Sequence, residues 1–566
     1  MTSPYRQPKQ FVLCFDGTGN KFAGDESDTN LLKIYRMLDR SQSHQFHYYQ
    51  PGIGTYVSSH SLGSKGRLVR IQSAYKKAKD AALGSSFDEH VLGGYKFLMR
   101  YYSPGDNLYF FGFSRGSYTA RFLAEMLDYI GLLQPGNEEL IRFAWKTFAK
   151  WQQRRDNTDA DKEKRHKLFS FMRAFRETFS RPVSRIKFLG LFDTVNSVPV
   201  FENAWMERSK FPYTAHSSAC IIRHAVSIDE RRAKFRQDLI SEVMPPRHVH
   251  GHRLRHFLSR ESHEMVDVPN IVRETPENEY QNKSQEHQHP QPDEIQRYRP
   301  RTPRQNPALE PSSSNQLLSD RASLKSGVSG ASLQVPGLAH ETEKNDNDQD
   351  IAEVWFPGQH GDVGGGWKAN PEDPWPLSQI PLVWMVKEAQ LAGLEFDRLK
   401  LQRFNCDETV RDMKNPQFCK EHPTDDYLVA FNNSVTQGVV HDTLTYGGGV
   451  SMLSTFAWRI MEYMPFRRMD LQPDGSWRPI RWPLPCGEVR DIPDSAEIHA
   501  SVIRRMKIDK KYRPGNVIIG GGGRGVKEAS EKDGIGEWVV CKHDGDPVRE
   551  TFVRKNPPTI CRDIHN

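Results

Sequence analysis

Short apolar runs punctuate the chain, and each ends in turn residues. FVLCF at 11–15 ends in Asp16-Gly17, LYFF at 108–111 follows Pro104-Gly105, IKFLGLF at 186–192 ends in Asp193-Thr194, and VWF at 354–356 ends in Pro357-Gly358. Runs this short, bounded in this way, read as buried strands. Between them the period changes. Residues 87–102 place Val91, Leu92, Tyr95, Leu98 and Met99 at helical spacing, and Phe122, Leu123, Met126, Leu127 and Ile130 describe a second helix with one packed face after Ser114. Strands alternating with helices predict an α/β fold, a mostly parallel sheet with helices on both faces. HASVIRRM at 499–506 reads as a short amphipathic helix closing the domain, and there are no internal repeats.

The pattern stops at 271–350. Only 17 of those 80 residues are Ala, Val, Ile, Leu or Tyr, and none is Phe, Trp, Met or Cys. Polar tracts such as QNKSQEHQHPQPDE bury too little apolar area to offset chain entropy. This stretch is expected to be a disordered insertion, which a surface loop tolerates because closure entropy grows only slowly with length. The expected organisation is a catalytic core in two parts, 8–270 and 351–460, separated by the insertion at 271–350. A C-terminal accessory region at 461–566 follows.

Composition narrows the class. In 566 residues, 37 % are apolar and 26 % charged, which excludes collagen, coiled coil and wholesale disorder. No apolar run approaches the roughly 18 residues of a membrane span, and the N-terminus lacks a signal-peptide pattern. A cytoplasmic protein is expected, peripheral at membranes if it meets them. The seven cysteines are scattered and never form C-x-x-C, so reduced thiols are expected. The net charge of +7 is uneven: 271–350 carries −4, leaving +11 on the rest. A basic body suits anionic partners such as phospholipid headgroups. No zinc finger or RNA-binding aromatic pattern is present, so no nucleic-acid partner is expected. The insertion could recruit protein partners.

The candidate chemistry centres on Gly112-Phe113-Ser114-Arg115-Gly116, set between a strand and a helix. A nucleophilic serine needs such a turn to project its hydroxyl, with small residues two places either side. The helix start, including the Arg115 N–H, would face a developing oxyanion. The alternative is a glycine-rich turn with a capping serine. A serine needs a base, and the base an orienting carboxylate, in the chain order Ser, Asp or Glu, His. Asp193 lies at a strand end, 79 residues after Ser114. His360 lies in PGQHGDVGGGW, a further 167 residues on. His224, in a strand-like stretch, competes as base or is structural. Asp362 could orient the base or cap a turn. The Asp16-Gly17-Thr18 loop is either an Asx-type turn or the source of second oxyanion donors from Gly17 and Thr18.

Other clusters offer less. His248, His250, His252, His256 and His263 share their stretch with no acidic or thiol ligands at metal spacing, and no metal or other cofactor is called for. The glycine runs at 447–449 and 520–523 lack the Lys-Ser/Thr of a P-loop. Aromatics and arginines interleave around Trp458, Phe466 and Trp477 to Trp482. They would anchor at lipid headgroups, cover an acyl-binding cleft, or form ordinary surface with Arg packed on Trp.

Taken in order, FDGTGN (15–20), PGIGT (51–55), GFSRGSYTAR (112–121), GLFDTV (190–195), RHAVSIDERRAKF (223–235) and WFPGQHGDVGGGW (355–367) resemble one family. It is the α/β-hydrolase family related to the catalytic domain of type VI secretion phospholipase effectors, which has many fungal members. The resemblance spans residues 11–366, interrupted by the insertion. It implies a Ser–Asp–His hydrolase, with Ser114, Asp193 and His360 on its motifs. Ser117 stands where the family usually has Ala. The expected function is therefore acyl-ester hydrolysis with a lipid or phospholipid substrate. The alternatives are a soluble ester or thioester hydrolase, or a silent hydrolase scaffold used for binding.

Overall fold

The computed structural model describes residues 6–18, 20, 22–52, 87–153, 159–195, 219–240, 349–368, 374–407, 426–466, 468–472, 477–518 and 526–555. The insertion up to residue 348, the histidine cluster from His248 to His263, the glycine run at 520–523 and residues 53–55 of PGIGT lie outside the described residues.

Nine strands form the central sheet: β1 (Gln10–Phe15), β2 (Gln45–Gln50), β3 (Asn107–Phe113), β4 (Ile186–Phe192), β5 (Ala219–Ser227), β6 (Asp350–Phe356), β7 (Glu497–His499), β8 (Trp538–Lys542) and β9 (Thr551–Arg554). Their order across the sheet is β8-β9-β7-β6-β5-β4-β3-β1-β2. Strands β1 to β7 are mutually parallel, while β9 and β8 add an antiparallel edge. In chain order the helices are α1 (Asn30–Met37), α2 (Phe87–Tyr101), α3 (Arg115–Ile130), α4 (Leu140–Gln153), α5 (Asp159–Phe179), α6 (His360–Gly364), α7 (Gln379–Leu391), α8 (Arg398–Arg403), α9 (Asp426–Gln437), α10 (Met452–Met461) and α11 (Ala500–Ile508).

The period-2 alternation of a strand divides each one between two cores. From β1, Phe11, Leu13 and Phe15 enter a core with residues of α2, α3, α4 and α5. Val12 and Cys14, pointing the other way, enter a second core with Leu31, Ile34, Ile380, Val383 and Trp384 from α1 and α7. Both faces of the sheet are therefore covered, which is why its strands read as continuous apolar runs. Strands β3 and β6 run longer than their apolar runs, because polar or small ends such as Asn107, Asp350 and Gly112 still pair in the ladder.

The described residues of 461–566, expected as an accessory region, contribute to the central sheet. They supply β7, β8 and β9, and Ile498, Val502 and Ile503 share a third core with Val226 and Trp355 of β5 and β6. Their strands are short and partly exposed, so they gave no strong apolar run. The helix expected at 499–506 is α11, whose His499 side chain accepts from the Ser501 N–H. Cys14, Cys220, Cys406, Cys486 and Cys541 are free thiols.

The register brings the chemistry to one edge. Phe15 pairs opposite Gly112, Phe113 opposite Phe192, and Ser227 opposite Phe356. The loops leaving β1, β3, β4, β5 and β6 thus emerge together at the carboxyl end of the sheet, where open α/β sheets bind ligands.

Candidate active site

Ser114 links β3 to α3 with φ 59° and ψ −125°. A side-chain-bearing residue in such a region stores on the order of 1–3 kcal/mol of strain, held here by its surroundings. The Ser114 N–H donates to the Phe192 carbonyl at 3.0 Å. A Cβ at Gly112 would collide with the backbone of Ser117, and one at Gly116 with the carbonyl of Phe15. The glycines at both ends of the motif are therefore steric requirements of the turn.

Asp193 follows β4, is fully buried and has φ 38°. Its Oδ2 accepts from His360 Nδ1 at 2.6 Å. Its Oδ1 accepts from the Ser227 N–H at 2.9 Å and the Ser227 hydroxyl at 3.0 Å. Arg490 straddles both oxygens, Nη1 to Oδ1 at 2.6 Å and Nη2 to Oδ2 at 3.0 Å, and also donates to the carbonyls of Ser227 and Phe235. Burial alone would raise the Asp193 carboxyl, but Arg490 and His360 together hold it well below the usual carboxylate range.

His360 opens α6, with its ring stacked on Phe113 at 4.8 Å between centroids and met edge-on by Phe235 at 4.7 Å. Its backbone N–H donates to Glu230 Oε2 at 3.2 Å, and the nearby Gly358 N–H donates to Asp229 Oδ2 at 2.7 Å. Burial lowers the imidazole pKa, and the raising effect of Asp193 does not fully offset it. The ring is therefore neutral at pH 7. With Nδ1–H directed to an ionised carboxylate, Nε2 carries the lone pair.

The remaining candidates separate by their partners. His224 Nε2 accepts from the Thr194 N–H at 3.1 Å, so its Nδ1–H donates to Glu353 Oε2 at 2.8 Å. Both nitrogens are used, and His224 fixes the backbone next to Asp193. Asp362 closes a capping box with Gln359 and pairs with His441 Nδ1 at 2.6 Å. It caps the turn; the carboxylate on His360 is that of Asp193. Asp16 accepts from the Gly17 N–H at 2.6 Å, Tyr49 Oη at 2.7 Å, Thr29 Oγ1 at 2.8 Å and Asn20 Nδ2 at 3.3 Å, which pins the loop against the elbow. The Gly17 N–H is thereby committed to Asp16. Arg115 is half-buried, and burial lowers its pKa to about 10, so it stays a cation at neutral pH. Among the described residues, no group of three or more His, Cys, Asp or Glu could hold a metal ion.

Sequence reasoning missed Arg490, which stands 297 residues from Asp193 in no motif. It also assigned no role to Asp229, Glu230 or Phe235, although all three lie in the block RHAVSIDERRAKF that carried the resemblance.

The profile of the T6SS phospholipase effector Tle1-like catalytic domain matches residues 9–388. The chain belongs to this family. The match includes Ser114, Asp193 and His360, while Arg490 lies beyond it. A relative of this Tle1-like chain is the uncharacterized protein YEL023C of Saccharomyces cerevisiae, 30 % identical over 90 % of this chain and 80 % of the yeast one. Two solved structures are similar in part. An uncharacterized protein from Pseudomonas aeruginosa has a TM-score of 0.29 and 18 % identity, over 69 % of this chain and 46 % of that one. The Tle1 effector bound to the VgrG spike of the type 6 secretion system has a TM-score of 0.18 and 14 % identity, over 43 % of this chain and 48 % of that one. The chain thus spans under half of each solved protein.

Proposed function

We propose that this chain is a serine hydrolase that cleaves acyl esters of lipids, phospholipids foremost. Ser114 is the nucleophile, His360 the base and Asp193 the residue that orients it. The observation that carries this reading is the 2.6 Å contact of His360 Nδ1 with a buried, ionised Asp193, on the same sheet edge as a serine in a strained strand-to-helix turn. The substrate class rests on the family of the catalytic domain.

In this mechanism His360 Nε2 takes the Ser114 proton as the hydroxyl attacks the ester carbonyl. It then returns the proton to the leaving alcohol, and water repeats the sequence on the acyl-enzyme. Asp193 keeps the reactive tautomer and stabilises the imidazolium that forms, and Arg490 keeps Asp193 ionised and in place. The Arg115 N–H, at the start of α3, meets the oxyanion. The second donor comes from the loop at Gly17 and Thr18, and the Thr18 N–H is the better choice because Gly17 already donates to Asp16. No step calls for a cofactor.

The test is release of fatty acid from mixed phospholipid vesicles by the purified chain, with Ser114→Ala in parallel. Release by the wild type alone supports the reading. Cleavage of a short p-nitrophenyl ester without any release from lipid would retain the hydrolase and reject the lipid substrate.

A further inference from the structure

Helix α10 is inverted relative to an ordinary surface helix. Its inward residues are Thr455, Trp458 and, just past its end, Glu462, while its apolar stripe faces outward. Met452, Phe456 and Ile460, spaced four apart on one face, are 73, 53 and 52 % exposed, and Leu453 beside them is 78 % exposed. The stripe continues past the helix through Tyr463 and Met464, and Trp482 is exposed as well. Single exposed apolar residues need no explanation, but a contiguous row of them marks an interaction surface.

The inner side of α10 connects to the base. The Trp458 ring packs edge-on against Phe235 at 5.5 Å, and Phe235 packs against His360. Glu462 accepts from the Ala233 N–H at 2.9 Å, tying the end of α10 to the segment that carries Phe235. The apolar stripe therefore lies about one helix diameter, ~10 Å, from the ring packed on His360. Beside α10, a cleft of about 480 Å³ is lined by Arg459, Tyr446, Tyr463 and Glu462, and by Arg231 and Lys527, both of which pair with Asp442. Arg459 is exposed and lies over the Tyr446 ring at 5.5 Å. Apolar groups flanked by cations and tyrosines are the arrangement by which interfacial helices enter a bilayer bearing anionic headgroups. Of the interleaved aromatics and arginines, Trp477 and Arg468 are buried, so the feature is the Met452-to-Met464 stripe and not the interleaving.

We propose that the outward face of α10, with Arg459 beside it, docks the protein on an anionic lipid surface and so sets the candidate active site at the membrane. This deepens the lipid-ester reading above and rests on it for its substrate, but docking can be measured without catalysis. Among the described residues no helix is long and apolar enough to cross a membrane, which fits a surface contact.

The experiment is flotation of the full chain, as Ser114→Ala, with phosphatidylcholine vesicles containing phosphatidylglycerol. Leu453→Asp combined with Phe456→Asp is expected to lower the bound fraction at least roughly tenfold, since a charge on the apolar face opposes burial. Arg459→Glu is expected to weaken binding to anionic vesicles and leave neutral vesicles unaffected. On the Ser114 background, the α10 double variant is expected to keep hydrolysing a short soluble ester while losing hydrolysis of vesicle lipid. Wild-type-like flotation of the double variant, or no flotation of its parent, would overturn the proposal. A concentration-dependent dimer that the double variant dissolves would also overturn it, by assigning the stripe to a second copy. Flotation without any esterase activity would leave docking standing and remove the hydrolase reading alone.

Discussion

Arg490 grips Asp193 across 297 residues of sequence, with Nη1 on one carboxylate oxygen at 2.6 Å and Nη2 on the other at 3.0 Å, and neither side chain meets solvent. The bidentate fork fixes the carboxylate plane, and that plane aims the oxygen that accepts from His360 Nδ1. In the proposed mechanism Arg490 is thus a positioning residue acting through Asp193.

Replacing Arg490 by Met leaves a buried carboxylate without its cation, which costs about 3–5 kcal/mol when one partner of a buried pair is removed. A misaimed base is expected to lower kcat on the order of 10²-fold. A purely structural role would stop there. Asp193, no longer neutralised, would also favour the His360 imidazolium, so the acid limb of the kcat/KM profile is expected to move to higher pH. Arg490→Lys, which keeps the charge and loses the fork, is expected to restore the limb more than the rate. An unmoved limb in an active Arg490→Met protein would reject the positioning role.

The wild-type profile itself is signed by the environment of His360. Burial lowers its pKa from the usual ~6.5, so the base stays neutral and competent to a pH below that value. The acid-limb midpoint of esterase activity on a soluble ester is expected to lie below ~6.5. A midpoint above ~6.5 would contradict this.

Gly116 tests the elbow. An Ala Cβ there would strike the Phe15 carbonyl, so β1 and α3 must separate. Gly116→Ala is expected to cost about 1–3 kcal/mol, as overpacking does, and to abolish Ser114 reactivity because the turn shifts. Thermal denaturation and esterase rate check both; full activity would mean that the turn has room.

Stability is expected to fall in acid. Burial raises Asp229 to about 6, so its contribution is complete below the unfolded value of ~3.9 and fades as pH rises through 6. Burial also acts on Asp442, but Arg231 and Lys527 prevail and lower it to about 2. Asp193 is held low by Arg490. Their contributions are complete above ~3.9 and are lost as pH falls toward 2. His47, His90 and His499 are each lowered to about 4 by burial, so their contributions are complete above ~6.5 and are lost as pH falls through 4, outnumbering the gain from Asp229. Tm measured from pH 8 to 3 is expected to hold near neutral pH, to fall as pH drops from about 6.5 toward 4, and to fall further below that. A Tm that rises between pH ~6.5 and ~4 would oppose this assignment.

The sheet and the serine, acid and histidine loops were legible in the sequence because parallel strands are buried on both faces. FVLCF and IKFLGLF had no polar alternation to blur them, and each ended at a candidate site residue, Asp16 or Asp193. The contribution of 461–566 was not legible: β7 has three residues and β8 is mostly exposed, so neither leaves a hydrophobic signature. Arg490 was hidden for a different reason, since a lone arginine is ordinarily a surface residue and only the fold brings it to Asp193. Of the α10 stripe, only the stretch around Trp458 was singled out, because apolar periodicity reports a face without saying whether core or solvent lies against it.

The central claim is that Ser114 is a nucleophile activated by His360, and reaction with a fluorophosphonate followed by peptide mass mapping tests it most directly. A single phosphonyl adduct on Ser114, lost in His360→Ala, is the expected result. An unlabelled Ser114 in folded, membrane-competent protein, or an adduct on another serine, would contradict it.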